Sequence, residues 1–166
     1  QQMPTLIVDM AYNHSYFAAC KAGQVYLTRT VPIGAKSFAR AISLSLGLDE
    51  EEAESYRRAY GFEEEQLEGK VSKSMQPVWE KYVGNIKKTL MSFKEDWGQD
   101  VEVMVLTGGG VLMPGFSEEL TKTLGLEVQV APPFENIMEI QPPFDVKKEG
   151  SRFAVAMGLA TRGLVE

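Results

Sequence analysis

The spacing of apolar positions changes along the chain, and each change predicts a different element. Thr5-Leu6-Ile7-Val8-Asp9 is a short, β-rich apolar run that ends in an acid, which reads as a buried strand. Ser15 to Lys21 forms a second run, and Val25 to Ile33 a third, with Ala22-Gly23-Gln24 as the turn between them. The connections are too short for a crossover helix, so the three runs predict an antiparallel meander. Beyond Gly34 the pattern becomes helical. Phe38, Ile42, Leu44 and Leu46 predict a helix from Ser37 to Leu46, stopped by Gly47. Asp49 is a suitable N-cap for the next helix, and Glu52 three residues later completes a capping box. That helix should reach Tyr60 and end at Gly61. Phe62 to Ser74 is polar and reads as a loop.

Val78, Tyr82, Ile86, Leu90 and Phe93 form a 3.6-residue stripe that predicts the longest helix, Gln76 to Trp97. Pro77 would then lie in its first turn, where a proline is tolerated. Gly84 inside the helix costs about 1 kcal/mol relative to Ala, and the sequence supplies no reason for it. Val101 to Leu106 is a strand leading directly into Thr107-Gly108-Gly109-Gly110. A helix from Phe116 to Leu124 follows, ended by Gly125, then a short strand from Val128 to Val130. Pro132-Pro133 and Pro142-Pro143 bracket a loop-rich stretch. Arg152 to Leu164 reads as a small-residue helix suited to close packing. The order β-β-β-α-α-α-β-α-β-α predicts an α/β fold, a mixed sheet with helices packed on it.

Composition narrows the function. The 166 residues suit one domain with a small insert. A net charge of −6 disfavours nucleic-acid phosphates, so no nucleic-acid partner is expected. Cys20 is the single cysteine, which rules out a disulfide within the chain and fits a reducing compartment. It reads as a small buried hydrophobe, and His14, the single histidine, as a solvent-exposed hairpin residue. No residues have zinc-ligand spacing, no apolar run is long enough to span a membrane, and no signal peptide is evident. The opening Gln-Gln-Met reads as a truncation, with a preceding half expected ahead of it.

Three segments could carry chemistry. Val8-Asp9-Met10-Ala11-Tyr12-Asn13-His14-Ser15 places an acid and a tight turn at a strand end. Such a turn can offer backbone N–H groups and a hydroxyl to phosphate oxygens, and the acid can hold a magnesium-bound water. Alone it reads more readily as an ordinary polar hairpin. Gly108-Gly109-Gly110, followed by Pro114-Gly115-Phe116, lets a planar ring or sugar approach the backbone, and the helix after it favours anions. It matches neither the dinucleotide fingerprint nor the Walker loop. Glu54 and Arg57 lie three residues apart on one helix face. A carboxylate can accept from ribose hydroxyls and a guanidinium can stack on a purine; alone, the two read as a surface ion pair.

Taken in this order, the segments resemble the second half of an actin-like ATPase. The resemblance is nearest to the PilM family of cytoplasmic type IV pilus assembly proteins, with FtsA more distant. Ile7 to Ser15 resembles the second phosphate loop. Pro32 to Ile42 with Glu52-Ala53-Glu54-Ser55-Tyr56-Arg57 resembles the helical segment carrying an EAE-x-x-K motif. Leu106 to Phe116, Ala131-Pro132-Pro133-Phe134 and Ala156 to Leu164 resemble the adenosine motif and C-terminal helix. This implies an RNase H-like core over 3–33 and 75–166 with a helical insert over 34–74. It also implies ATP and Mg2+ as cofactors. Asp9 would act near the metal, and Ala11, Ser15 and the hairpin backbone near the phosphates. Gly108, Gly109 and Gly110 would form the adenosine floor, with Glu54 at the ribose and Arg57 at the base.

The implied partners are a missing N-terminal lobe, PilN-like inner-membrane assembly proteins and, in an oligomer, further copies of the same protein. The implied location is cytoplasmic, peripheral to the inner membrane. The family's hairpin usually reads Asp-x-Gly, and Ala11 stands in the glycine place, where a methyl restricts the backbone angle and phosphate approach. Arg57 replaces the motif's lysine, keeping the charge and changing the shape. Two functions therefore remain open: an ATP-binding assembly scaffold, and a degenerate interaction module of a pilus or type II secretion system without nucleotide chemistry. An FtsA-like division protein and a sugar-kinase or chaperone relative rank behind both. Half a cleft cannot position a phosphoryl nucleophile, so no catalytic residue is assigned and this chain alone is expected to be inactive.

Overall fold

The computed structural model of the chain describes residues 3–132, 134 and 145–162. The three apolar runs form strands β1 (Thr5–Met10), β2 (Ser15–Lys21) and β3 (Gln24–Val31), paired antiparallel in sequence. Two further strands, β4 (Val103–Thr107) and β5 (Glu127–Val130), add in parallel, giving the order β3-β2-β1-β4-β5. Leu6, Val8 and Met10 of β1 are fully buried and alternate with the half-buried Ile7 and Asp9. One sheet face therefore carries the core.

Helices α1 (Ala35–Leu46), α2 (Glu50–Tyr60), α3 (Lys70–Trp97) and α4 (Phe116–Leu124) supply the core's other side. Phe38 of α1 sits edge-on to Tyr82 and Phe116 at ring separations of 5.9 and 6.4 Å, an aromatic geometry favoured by the ring quadrupoles. The expected insert shares this core: Phe38, Ile42, Ala53, Phe62 and Val71 belong to the same buried cluster as Leu6, Val8 and Leu106. The capping box of α2 is formed, with Glu52 N–H donating to Asp49 Oδ1 at 2.8 Å and Asp49 N–H to Glu52 Oε2 at 3.3 Å.

Two expectations are corrected. The long helix begins at Lys70, not Gln76, and runs for 28 residues. Val71 and Met75, exposed 1% and 0%, extend the apolar stripe back through the segment read as loop, up to Gly69 in the left-handed conformation. The boundary at 74/75 thus falls inside a continuous helix, and Pro77 lies beyond its first turn, where it has no N–H to offer the Lys73 carbonyl. The second correction is at the C-terminal end. The single helix expected from Arg152 to Leu164 is instead α5 (Val146–Glu149), a 3-10 turn (Gly150–Phe153) and α6 (Ala154–Ala160). No residue of α6 is buried, so the close packing expected of it is not made among the described residues. Pro133, the stretch 135–144 and Leu164 lie outside those residues.

Candidate functional site

Parallel pairing sets Asp9 beside Thr107, so the β1–β2 hairpin and the glycine bend leave neighbouring strands at the same end of the sheet. Ala11 N–H donates to the His14 carbonyl at 3.0 Å and closes the hairpin. Helix α1 starts directly on it: Ala35 N–H donates to the Ala11 carbonyl at 3.0 Å and Lys36 N–H to the Tyr12 carbonyl at 2.9 Å. Gly34 makes this possible, because a Cβ there would lie 2.5 Å from the Tyr12 carbonyl oxygen. Among the described non-glycine residues only Ala22, Leu67 and Glu68 have positive φ. Ala11 therefore sits in an ordinary backbone region, and its methyl imposes no torsional strain.

The three glycines differ in what surrounds them. Gly108 has φ +88° and ψ 163°, a region nearly exclusive to glycine. A Cβ on it would strike Asp9 Oδ1 and lie 2.5 Å from the Met10 carbonyl oxygen. A Cβ on Gly110 would strike the Met10 side chain and lie 2.9 Å from the same carbonyl oxygen. Gly109 faces elsewhere: its nearest neighbours would be Arg152 Cγ at 3.5 Å and Nε at 3.7 Å. The bend is held to the C-terminal turn by the Ser151 carbonyl, which accepts from Gly108 N–H at 3.0 Å and Thr107 Oγ1 at 2.9 Å.

The opposite wall belongs to α2. Glu54 accepts from Arg57 Nε at 2.9 Å and Nη2 at 2.8 Å, and from Arg58 Nε at 2.7 Å. Burial alone would raise the Glu54 pKa; the hydrogen bonds and charges of Arg57 and Arg58 outweigh it and hold the carboxyl below its ordinary value. Arg57 is 3% exposed, and its Nη1 is buried without a hydrogen-bond partner in the structure. Burial acts in the same sense on Asp9, and with no cation there to offset it the Asp9 pKa is raised.

Between these walls lies an open cleft of about 460 Å³. It is lined by Ala11, Glu54, Arg57, Gly109 and Gly110 of the expected residues, together with Arg58, Lys148, Glu149 and Arg152, which sequence reasoning missed. Arg58 had a legible signal, its place four residues after Glu54; the C-terminal three had none. Gly108 lies behind the bend, against Asp9. Ser15 is fully buried and its Oγ donates to the Ile33 carbonyl at 2.7 Å, where it joins the hairpin to the segment before α1. The helix expected to favour an anion after the glycines is also elsewhere: Gly115, at the start of α4, packs on Phe62 and Glu63 and does not line the cleft.

Among the described residues no three His, Cys, Asp or Glu side chains form a metal-binding group. Asp9 contributes one half-buried carboxylate at the strand end, beside Gly108 and outside the residues that line the cleft.

A mixed sheet of order β3-β2-β1-β4-β5 with a cleft at its strand ends is the RNase H-like fold of an actin-like lobe. The chain belongs to the family of type IV pilus assembly proteins described as PilM, whose model matches residues 2–164. It is similar to the solved "PilM-PilN type IV pilus biogenesis complex", with 26% identity and a TM-score of 0.85 over 99% of this chain and 47% of that one. The ethanolamine utilization protein EutJ from Carboxydothermus hydrogenoformans is 22% identical, with a TM-score of 0.67 over 96% of this chain and 50% of that one. MreB 5 of Spiroplasma citri, solved with AMPPNP, is 11% identical, with a TM-score of 0.72 over 98% and 53%. The last two show a shared fold alone. The chain spans about half the length of these structures. No curated protein matches it in sequence.

Proposed function

We propose that this chain is the second, nucleotide-binding lobe of a two-lobed pilus assembly scaffold that takes ATP with Mg2+. One observation carries the reading: the Asp9 hairpin and the glycine bend leave adjacent parallel strands at one end of the sheet, and the cleft there is faced by Glu54 and Arg57. The hairpin amides would meet phosphate oxygens, Asp9 a magnesium-bound water, and the glycine bend the adenosine. Glu54 is already held by two arginines, so it would position Arg57 and Arg58 as well as accept from a ribose hydroxyl. Arg57 keeps one buried donor unmatched, and such a donor gains most from a ligand acceptor. The structures of MreB 5 with AMPPNP and of MamK with AMPPNP support a nucleotide in this fold.

The lobe supplies one side of a cleft, and phosphoryl transfer requires the other to position a nucleophile. The scaffold would work at the cytoplasmic face of the inner membrane with a PilN-like partner, as the PilM-PilN complex suggests. Among the described residues no helix is long and apolar enough to cross a membrane.

Thermal unfolding with Mg-ATP tests the reading. Ligand at 100 times its dissociation constant adds about 2.7 kcal/mol, a rise of roughly 5–10 °C for a domain this size. An unchanged midpoint at millimolar Mg-ATP in the intact protein would reject nucleotide binding and favour an interaction module without nucleotide chemistry. The burial of the Ser15 hydroxyl is the observation on that second side.

A further inference from the structure

The nucleotide reading leaves Arg152 without a role, yet the backbone just before it is anchored at the cleft's rim. Ser151 is buried, and its carbonyl is fixed to the bend by Thr107 and Gly108. The next residue therefore leaves a fixed point. The Arg152 stem passes over Gly109 at a distance that would leave a Cβ there 3.5 Å from Arg152 Cγ, and its Nη1 pairs with Glu149 Oε2 at 3.0 Å. Its side chain stays 41% exposed and lines the cleft.

We propose that Arg152 is a base-stacking residue for the nucleotide; this rests on the nucleotide-binding reading and extends it. Direction decides between base and phosphate. Gly108 and Gly110 turn toward Asp9 and Met10, the start of the hairpin assigned to phosphate, whereas the intervening Gly109 turns toward Arg152. Arg152 thus lies on the side of the bend away from the phosphate end. A guanidinium there offers a flat, weakly hydrated cationic face, which stacks on an aromatic ring. Glu149 holds one edge of it and limits its rotation. A purine resting on the bend would meet Arg152 on the floor side and the Arg57–Arg58 wall across the cleft.

Calorimetric titration of the intact protein with Mg-ATP and with magnesium tripolyphosphate, which has no base, tests this. R152A should weaken ATP about tenfold, within the range of a partly desolvated cation–π contact, and change tripolyphosphate less than twofold. R152K should not restore ATP affinity, because an ammonium keeps the charge and loses the planar face. Undiminished ATP binding by R152A would overturn the proposal. So would parallel losses for both ligands with rescue by R152K, the signature of a phosphate contact. If tripolyphosphate binds too weakly to measure, the R152K result on ATP decides alone. Wild-type protein that binds no ATP would instead remove the nucleotide reading and this inference together.

Discussion

On one side of the cleft, Gly108 and Gly110 lie against the Asp9–Met10 backbone with no room for a methyl group. On the other, Glu54 gathers Arg57 and Arg58 through charged hydrogen bonds. The floor is set by excluded volume, which neither salt nor pH alters. The wall is set by electrostatics, which both alter. The two should therefore fail under different perturbations.

The largest expected effect is at the floor. Gly108→Ala forces a side chain into a glycine-only backbone region, costing about 1–3 kcal/mol, and overpacks it against the Met10 carbonyl for about 1–3 more. Urea unfolding should show a loss near 3 kcal/mol or above. Gly109→Ala, with 3.5 Å of clearance and φ outside the left-handed region, should change stability by less than about 0.5 kcal/mol. Equal losses at the two positions would break the distinction.

The wall comes next. Glu54→Ala leaves the buried Arg57 guanidinium uncompensated. Breaking a fully buried pair costs about 3–5 kcal/mol, and the 21% exposure of Glu54 reduces this to about 2. Arg58, 63% exposed, should contribute less than about 0.5 kcal/mol in a double-mutant cycle with Glu54. Gly84 sharpens the argument about glycines. A Cβ there would meet nothing within 4 Å, so Gly84→Ala should stabilise α3 by about 1 kcal/mol, read as a higher melting temperature.

The smallest effect is in pH dependence. The Glu54 pKa is lowered by folding, so its contribution is present above the ordinary Glu value and lost as pH falls through the folded value. Asp9 has the opposite sign: its pKa is raised, so stability is fullest below the ordinary Asp value and declines as pH rises through the folded one. Glu54→Gln should flatten the acid limb of a melting-temperature profile. Asp9→Asn should raise the melting temperature slightly at neutral pH while weakening Mg-ATP. A fall in melting temperature for Asp9→Asn would show that the carboxylate has a stabilising partner.

Local chemistry made much of this legible in the sequence. The Asp49–Glu52 capping box, the short turns of the meander and the glycines that end α1, α2 and α4 act within a few residues, so their signals are local. The start of α3 was obscured because Val71 and Met75 are interspersed with Lys and Ser, and Pro77 mimics a helix beginning. The role of Ser15 depends on the Ile33 carbonyl 18 residues away. Arg152 reaches the cleft because Thr107 and Gly108 bind the Ser151 carbonyl across the fold, a relation that no periodicity reveals. The glycine run stood out at once, but its division into two packed positions and one facing Arg152 required coordinates.

Because Gly34 lets α1 rest directly on the hairpin, the Ala11–His14 turn has no slack of its own. Lifting it would stretch two backbone hydrogen bonds and pull Phe38 out of the aromatic cluster. The turn and the first helix consequently travel together, and a shift of either one is handed on to the aromatic core.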